Sequence, residues 1–211
     1  MKKGLALCLA IIGVMATLAS AQNLLTNGDF SDPSSTAPPV AWSLWNYGGG
    51  WCNHQNNTSG TLDGPVPGEY YMADGGGSSA GGGEYQIVPA NAGFTYTLTV
   101  ESGAQAWWLP YGEMRMFFMD SNTNQLVEDF RSTVDPAVYG QNYDIPHPWT
   151  NYTLVATAPA DTAFVKVELA EPNGTGTVWF DDAVLTAIPE PSTVALVGLS
   201  VFAGMFIRRR K

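Results

Sequence analysis

Thr95-Tyr96-Thr97-Leu98-Thr99-Val100 alternates polar and apolar side chains with a period of two. That is the period of a strand with one face on a core, since successive side chains leave a strand on opposite sides. Phe164-Val165-Lys166-Val167-Glu168-Leu169 repeats the pattern, with Phe164, Val165, Val167 and Leu169 expected inward and Lys166 and Glu168 expected in water. Eight further short runs are bounded by Gly, Pro, Asn or Asp: Leu24–Phe30, Val40–Asn46, Glu69–Ala73, Glu84–Val88, Met114–Asp120, Leu126–Thr133, Asn151–Ala156 and Thr177–Thr186. None of the sequence around them carries a helical period. Ten such strands predict an all-β domain, a two-sheet antiparallel sandwich of jelly-roll type. Between them, Gly75–Gly83 is nearly all Gly and Ser and predicts a flexible connection, and Asn53–Gly68 predicts a polar loop.

The two ends differ from this pattern. Lys2 and Lys3 precede an apolar run from Gly4 to Leu18, followed by the small residues Ala19-Ser20-Ala21. This predicts a secretory signal peptide over 1–21, cut after Ala21 by signal peptidase. At the other end a charge-free run ends on Arg208, Arg209, Arg210 and Lys211. As a helix, Ser192–Ile207 spans about 24 Å, short of a ~30 Å hydrocarbon core. Local thinning and snorkelling of the flanking arginines accommodate the difference. The cations favour the cytoplasmic side, so one transmembrane helix over 192–207 places residues 22–187 across the membrane.

Charge then narrows the partners. Residues 22–188 hold eighteen acidic side chains against three basic ones, Arg115, Arg131 and Lys166, a net charge of −15. Such a surface repels phosphate and excludes nucleic acid as a partner, while it tolerates neutral glycans and divalent cations. Cys52 is the only cysteine in this span, so there is no intramolecular disulfide, and it is expected to be a small, partly buried side chain.

Pro189-Glu190-Pro191, the apolar run and the basic tail over 208–211 together resemble the PEP-CTERM sorting signal of bacterial exported proteins. That resemblance implies recognition by an exosortase, cleavage near the Pro-Glu-Pro motif, and anchoring in the inner membrane until processing. Delivery to the cell surface or extracellular matrix follows.

A second resemblance covers the domain between. Asn23-Leu24-Leu25-Thr26-Asn27-Gly28-Asp29-Phe30, followed by Trp42, is similar to the opening of galactose-binding-like jelly rolls, including CenC-type carbohydrate-binding modules. Trp149-Thr150-Asn151-Tyr152-Thr153 and Val178-Trp179-Phe180-Asp181-Asp182-Ala183-Val184-Leu185 resemble the strands near its close. The resemblance implies that the two ends of the domain meet. It also implies a structural calcium between them, held by Asp181 with oxygens of Asn27–Asp32, Asp29 and Asp32 among them. Ser31 stands where many relatives carry Glu. Equally, Asp29 reads as a turn residue and Asp181 as a loop cap.

Aromatic residues at loops and strand ends carry the functional expectation. Trp45, Tyr47 and Trp51, near Asn53, Gln55 and Asn56, form one candidate sugar surface; Trp107, Trp108 and Tyr111 form another. Sugar C–H faces pack on aromatic planes while amides and acids bond the hydroxyls. Trp42, Trp149 and Trp179 are expected in the core. No nucleophile or metal motif has its required context, though Glu84, Glu101, Glu113 and Glu128 on predicted strands leave a carboxylate pair open. The sequence thus favours a non-catalytic binder of extracellular polysaccharide. The alternatives are a structural surface or biofilm-matrix component without a sugar site, or a small glycan-active hydrolase or lyase.

Overall fold

Alternate residues of two facing sheets make the core. The computed structural model describes residues 22–31, 39–56, 70–76, 80–104, 111–134, 147–172 and 176–189. Ten strands follow in order: β1 (Ser43–Tyr47), β2 (Trp51–Asn56), β3 (Tyr70–Gly76), β4 (Gly81–Pro89), β5 (Phe94–Ala104), β6 (Gly112–Met119), β7 (Gln125–Val134), β8 (His147–Thr157), β9 (Phe164–Glu171) and β10 (Gly176–Pro189). One sheet has the order β1-β4-β9-β6-β7 and the other β2-β3-β10-β5-β8, with antiparallel pairing throughout. Only β2–β3 and β6–β7 are neighbours in both sequence and sheet, so the chain otherwise crosses from sheet to sheet as it wraps.

The period-2 pattern decides which side chains meet in the middle. Tyr96, Leu98 and Val100 of β5 join Met114, Met116 and Phe118 of β6 and Val165, Val167 and Leu169 of β9, all buried. The rings of Tyr96 and Phe118 meet edge to face at 5.6 Å. Val178, Phe180 and Leu185 of β10 close the same core. A one-residue bulge lies between the pairs Asp181–Glu101 and Val184–Thr99, and Asp182 takes a positive φ of 48° there.

Three expectations change. Leu24–Phe30 is not a strand but a clasp of bends and turns. Asn27 and Phe30 have φ values of 52° and 46°, in the left-handed region that a strand excludes. The clasp still docks on the last strand: Leu24 N donates to Leu185 O and Ala183 N to Gly28 O, each at 2.8 Å. It buries Leu25 and Phe30, and Trp42 packs on Phe30 with ring centres 5.2 Å apart. The two ends of the domain therefore meet as expected.

Trp51–Asn56, read as loop from Asn53 onward, is instead β2. The Gly/Ser run is largely strand as well, since Gly75 and Gly76 end β3 and Gly81–Gly83 open β4. These glycines serve close approach rather than flexibility. A Cβ on Gly82 would lie 2.8 Å from Cys52 Sγ, and one on Gly83 would lie 2.6 Å from Leu169 O and 2.9 Å from Trp45 Nε1.

Glu168 also departs from its expected place in water, being only 3% exposed. Its neighbours explain this below. Among the described residues no helix is long and apolar enough to cross a membrane; Ser192–Ile207 lies outside them.

Candidate functional site

Leu44 of β1 packs toward the core, as do Met114, Met116 and Phe118 of β6. The residues that alternate with them, Trp45, Tyr47, Glu113, Arg115 and Phe117, therefore stand on the outer face of the β1-β4-β9-β6-β7 sheet. The rings of Trp45 and Tyr47 lie parallel, 6° apart in plane and 6.0 Å between centres. Tyr47 is 46% exposed, and its hydroxyl donates to the carbonyl of Pro172. Trp45 lies close over Gly83, and its buried Nε1 meets no acceptor. The register carries this row across the sheet from Trp45 through Gly83 and Ala170 to Glu113 and Ser132. The two small residues, both buried, lie between the aromatic edge and the polar far side.

That far side is a charged network. Arg115 Nε donates to Glu113 Oε2 at 2.6 Å and Nη1 to Glu168 Oε1 at 3.1 Å. Lys166 Nζ donates to Glu168 Oε2 at 2.7 Å. The Tyr111 hydroxyl donates to Glu113 Oε1 at 2.7 Å and lies 3.2 Å from Ser132 Oγ. All four carboxylate oxygens of Glu113 and Glu168 thus accept hydrogen bonds, which is why Glu168 can be buried. Burial works against the Arg115 charge, but Glu113, Glu168 and Glu128 outweigh it and hold the guanidinium above its ordinary range. Lys166 also sits 4.1 Å from the Phe117 ring centre and 5.1 Å from that of Tyr85, a pair of cation–π contacts.

The structure brings Trp45, Tyr47 and Tyr111 to this one face and sends Trp51 elsewhere. Trp51 belongs to the other sheet, packed with Trp149 beside buried Trp179; the rings of Trp149 and Trp179 stack at 6.0 Å. Trp107 and Trp108 lie outside the described residues. Sequence reading missed the Glu113-Arg115-Glu168 network. Its signal was available: Glu113 and Arg115 are two apart on a predicted strand, hence on one face, in a span with only three cations.

Of the acids expected to hold calcium, Asp29 is exposed and accepts from the backbone N–H and hydroxyl of Ser31, at 3.4 and 3.0 Å. Asp181 is buried at the bulge and accepts from Asp182 N at 2.7 Å. Asp32 lies outside the described residues. The described part therefore offers calcium one buried carboxylate, Asp181, beside the clasp. Pro189 ends β10, while Ala21, Glu190, Pro191, Arg208, Arg209 and Arg210 lie outside the described residues.

Comparison with known proteins places both halves of the chain. The family described as the PEP-CTERM protein-sorting motif matches residues 187–211. No curated protein matches the chain. Among solved structures, a cyclase from Fischerella sp. TAU in complex with 4-(1H-indol-3-yl)butan-2-one has a TM-score of 0.58 at 18% identity, covering 80% of this chain and 98% of its own. The enzymatically active domain of bacteriophage CBA120 tailspike protein 4 has a TM-score of 0.56 at 15% identity, over 79% of this chain; the match spans only 21% of the tailspike chain. A family 16 carbohydrate binding module has a TM-score of 0.51 at 18% identity, covering 78% of this chain and 99% of its own. At these identities the likeness is one of fold, and the same sandwich serves both enzymes and a binding module. The chain thus carries a PEP-CTERM protein-sorting motif, which implies export and processing at the membrane, behind a β-sandwich of the fold that a carbohydrate-binding module shares.

Proposed function

We propose that this protein binds extracellular polysaccharide without catalysis, at the cell surface or in the extracellular matrix, after processing by an exosortase. The reading includes removal of residues 1–21 by signal peptidase. It also includes anchoring in the inner membrane by the helix 192–207 until cleavage near Pro189-Glu190-Pro191. The parallel Trp45–Tyr47 pair, set beside the Tyr111-Glu113-Arg115 network on one sheet face, carries the proposal. Aromatic planes take the C–H face of a sugar, and the exposed Tyr47 ring beside Trp45 offers such a plane on the sheet face that also carries hydroxyl-bonding groups. Charge points the same way, because a neutral glycan is not repelled by a surface of net −15.

The carboxylates favour binding over hydrolysis. A glycosidase needs one acid kept protonated near neutrality and a second one free to act on the sugar or on water. Glu113 and Glu168 are instead tied to Arg115, Lys166 and Tyr111, which occupy all four of their oxygens.

Full-length protein in detergent, tested on a glycan array and by affinity electrophoresis, is expected to retain at least one neutral polysaccharide. Trp45→Ala is expected to weaken retention at least tenfold, about 1.4 kcal/mol, and Trp51→Ala to leave it unchanged. Loss of the effect at Trp45, or retention of no glycan, overturns the proposal. The acidic surface favours a second reading, a structural matrix component without a sugar site. Calcium held by Asp181 with oxygens of Asn27–Asp32 belongs to either reading. Its expected mark is a rise in melting temperature on adding calcium that EDTA reverses; a melting curve indifferent to both removes it.

A further inference from the structure

The sandwich holds a second cluster, on the opposite side of the sheet from the aromatic face. Cys52 and Asp74 are directly paired across β2 and β3, both buried, and Glu84 of β4 faces them from the other sheet. One ligand atom from each, the Cys52 Sγ and a carboxylate oxygen of Asp74 and of Glu84, lie within 4.8 Å of one another. Asp74 and Glu84 are both 0% exposed, and the polar neighbours of their carboxyls are each other and the Cys52 thiol, with no hydrogen bond of good geometry to any of the four oxygens. Two buried carboxyls with only each other and a thiol as polar neighbours are costly to keep in an interior.

Among the described side chains no lysine or arginine offsets them. Arg115 and Lys166 are engaged on the outer face, and Arg131 bonds Thr153 O and covers the Tyr152 ring. These are the only lysines and arginines between residues 22 and 189.

We propose that Cys52, Asp74 and Glu84 ligate a divalent cation of the zinc class inside the sandwich, tying β2 and β3 of one sheet to β4 of the other. A thiolate with two carboxylates suits zinc or a similar borderline ion, whereas calcium and magnesium take oxygen donors alone. Zinc bonds of roughly 2.0–2.3 Å put ligand atoms about 3.5 Å apart, which shifts of about half an ångström reach from the observed spacing. Gly82 is what admits the sulfur, since a Cβ there would stand 2.8 Å from Sγ. The Cys52 thiol donates to Trp45 O at 3.6 Å. Burial pushes the Asp74 carboxyl up to about 7, and likewise raises the Glu84 carboxyl and the Cys52 thiol. Metal binding therefore releases the protons these groups hold to solvent. The site also gives a lone buried cysteine in an exported chain a chemical role, and it braces the turn between β1 and β2 that carries Trp45 and Tyr47.

Full-length protein made in zinc-supplemented culture and purified in detergent without chelator is expected to contain one zinc per chain. Refolding with cobalt in its place is expected to give thiolate-to-cobalt charge-transfer absorption. Cys52→Ser removes that absorption, and Asp74→Asn or Glu84→Gln lowers zinc affinity at least tenfold in competition with a chelating dye. Where an acid variant fails to fold, Cys52→Ser, which changes one atom, carries the test. Metal content unchanged in Cys52→Ser, or cobalt bound without the thiolate band, overturns the proposal. So does a wild type that carries no zinc and folds identically with and without it. None of these readouts depends on glycan retention, and none is mimicked by calcium, which gives no thiolate band.

Discussion

Arg115→Met is expected to lower the stability of the sandwich by about 3 kcal/mol. Breaking a buried ion pair by removing one partner costs about 3–5 kcal/mol, because the other charge is left buried and uncompensated. Here two carboxylates lose their guanidinium at once, Glu113 at 8% side-chain exposure and Glu168 at 4%. Arg115 itself is one-fifth exposed, so water reaches part of the network and the low end of that range applies. For a domain of this size such a loss lowers the melting temperature by roughly 6–12 °C. Methionine keeps most of the aliphatic stem, so the comparison reads charge more than packing. Adding Glu113→Gln to Arg115→Met is expected to recover part of the loss, since Glu113 then carries no bare charge and Glu168 keeps Lys166. A loss below about 1 kcal/mol by thermal or urea unfolding means the network is solvated and does not hold this face.

Gly28→Ala is expected to cost at least as much, for a different physical reason. A Cβ at Gly28 would stand 2.0 Å from Ala183 O, a backbone atom of β10 held at the bulge. Neither side can yield by a rotamer change, so the clasp must move. The hydrogen bond from Ala183 N to Gly28 O then goes, and with it the burial of Leu25 and Phe30. Exposing Phe30 alone is worth up to about 3 kcal/mol. Gly93→Ala supplies the contrast: its Cβ would meet nothing within 4 Å, and the penalty is confined to its φ of 73°, about 1–2 kcal/mol. Chemical unfolding of the two variants side by side is expected to rank Gly28→Ala well below Gly93→Ala. Equal losses remove the clasp as a structural element of the domain.

Local pattern recovered much of this protein because a strand declares itself through side chains that alternate along a few residues. Thr95–Val100 and Val165, Val167 and Leu169 sit as their alternation requires, whereas Phe164, expected inward, is half-buried on the face of Lys166, as its place in the alternation dictates; the meeting of the first and last segments was legible from their family likeness. The clasp was misread because its apolar residues Leu24, Leu25 and Phe30 suggested a strand, while Asn27-Gly28-Asp29 carried the turn signal and Asn27 and Phe30 leave strand geometry. The Gly/Ser run was misread because glycine has two uses. One is freedom in an open chain; the other, operating at Gly82 and Gly83, is room for a neighbour's sulfur or indole.

The candidate site divides in the same way. Trp45 and Tyr47 are two residues apart on one strand, so sequence alone put them on one face. Trp51, only four residues beyond Tyr47, looked like their neighbour yet lies on the other sheet, because the chain turns at Gly48-Gly49-Gly50 and crosses over. Glu168 was expected in water because charge is costly to bury, and it is buried because Arg115 and Lys166 reach it from two strands.

By itself the sequence determined the strand periodicity, the acidic character of the domain and the sorting motif over 187–211, since each is written in consecutive residues. The tertiary structure alone decided which strands share a sheet. It thereby decided that Trp45 shares a face with Glu113 and that Cys52 and Asp74 meet Glu84. Those groupings join residues dozens of positions apart, and only the wrapping of the chain brings them within bonding distance.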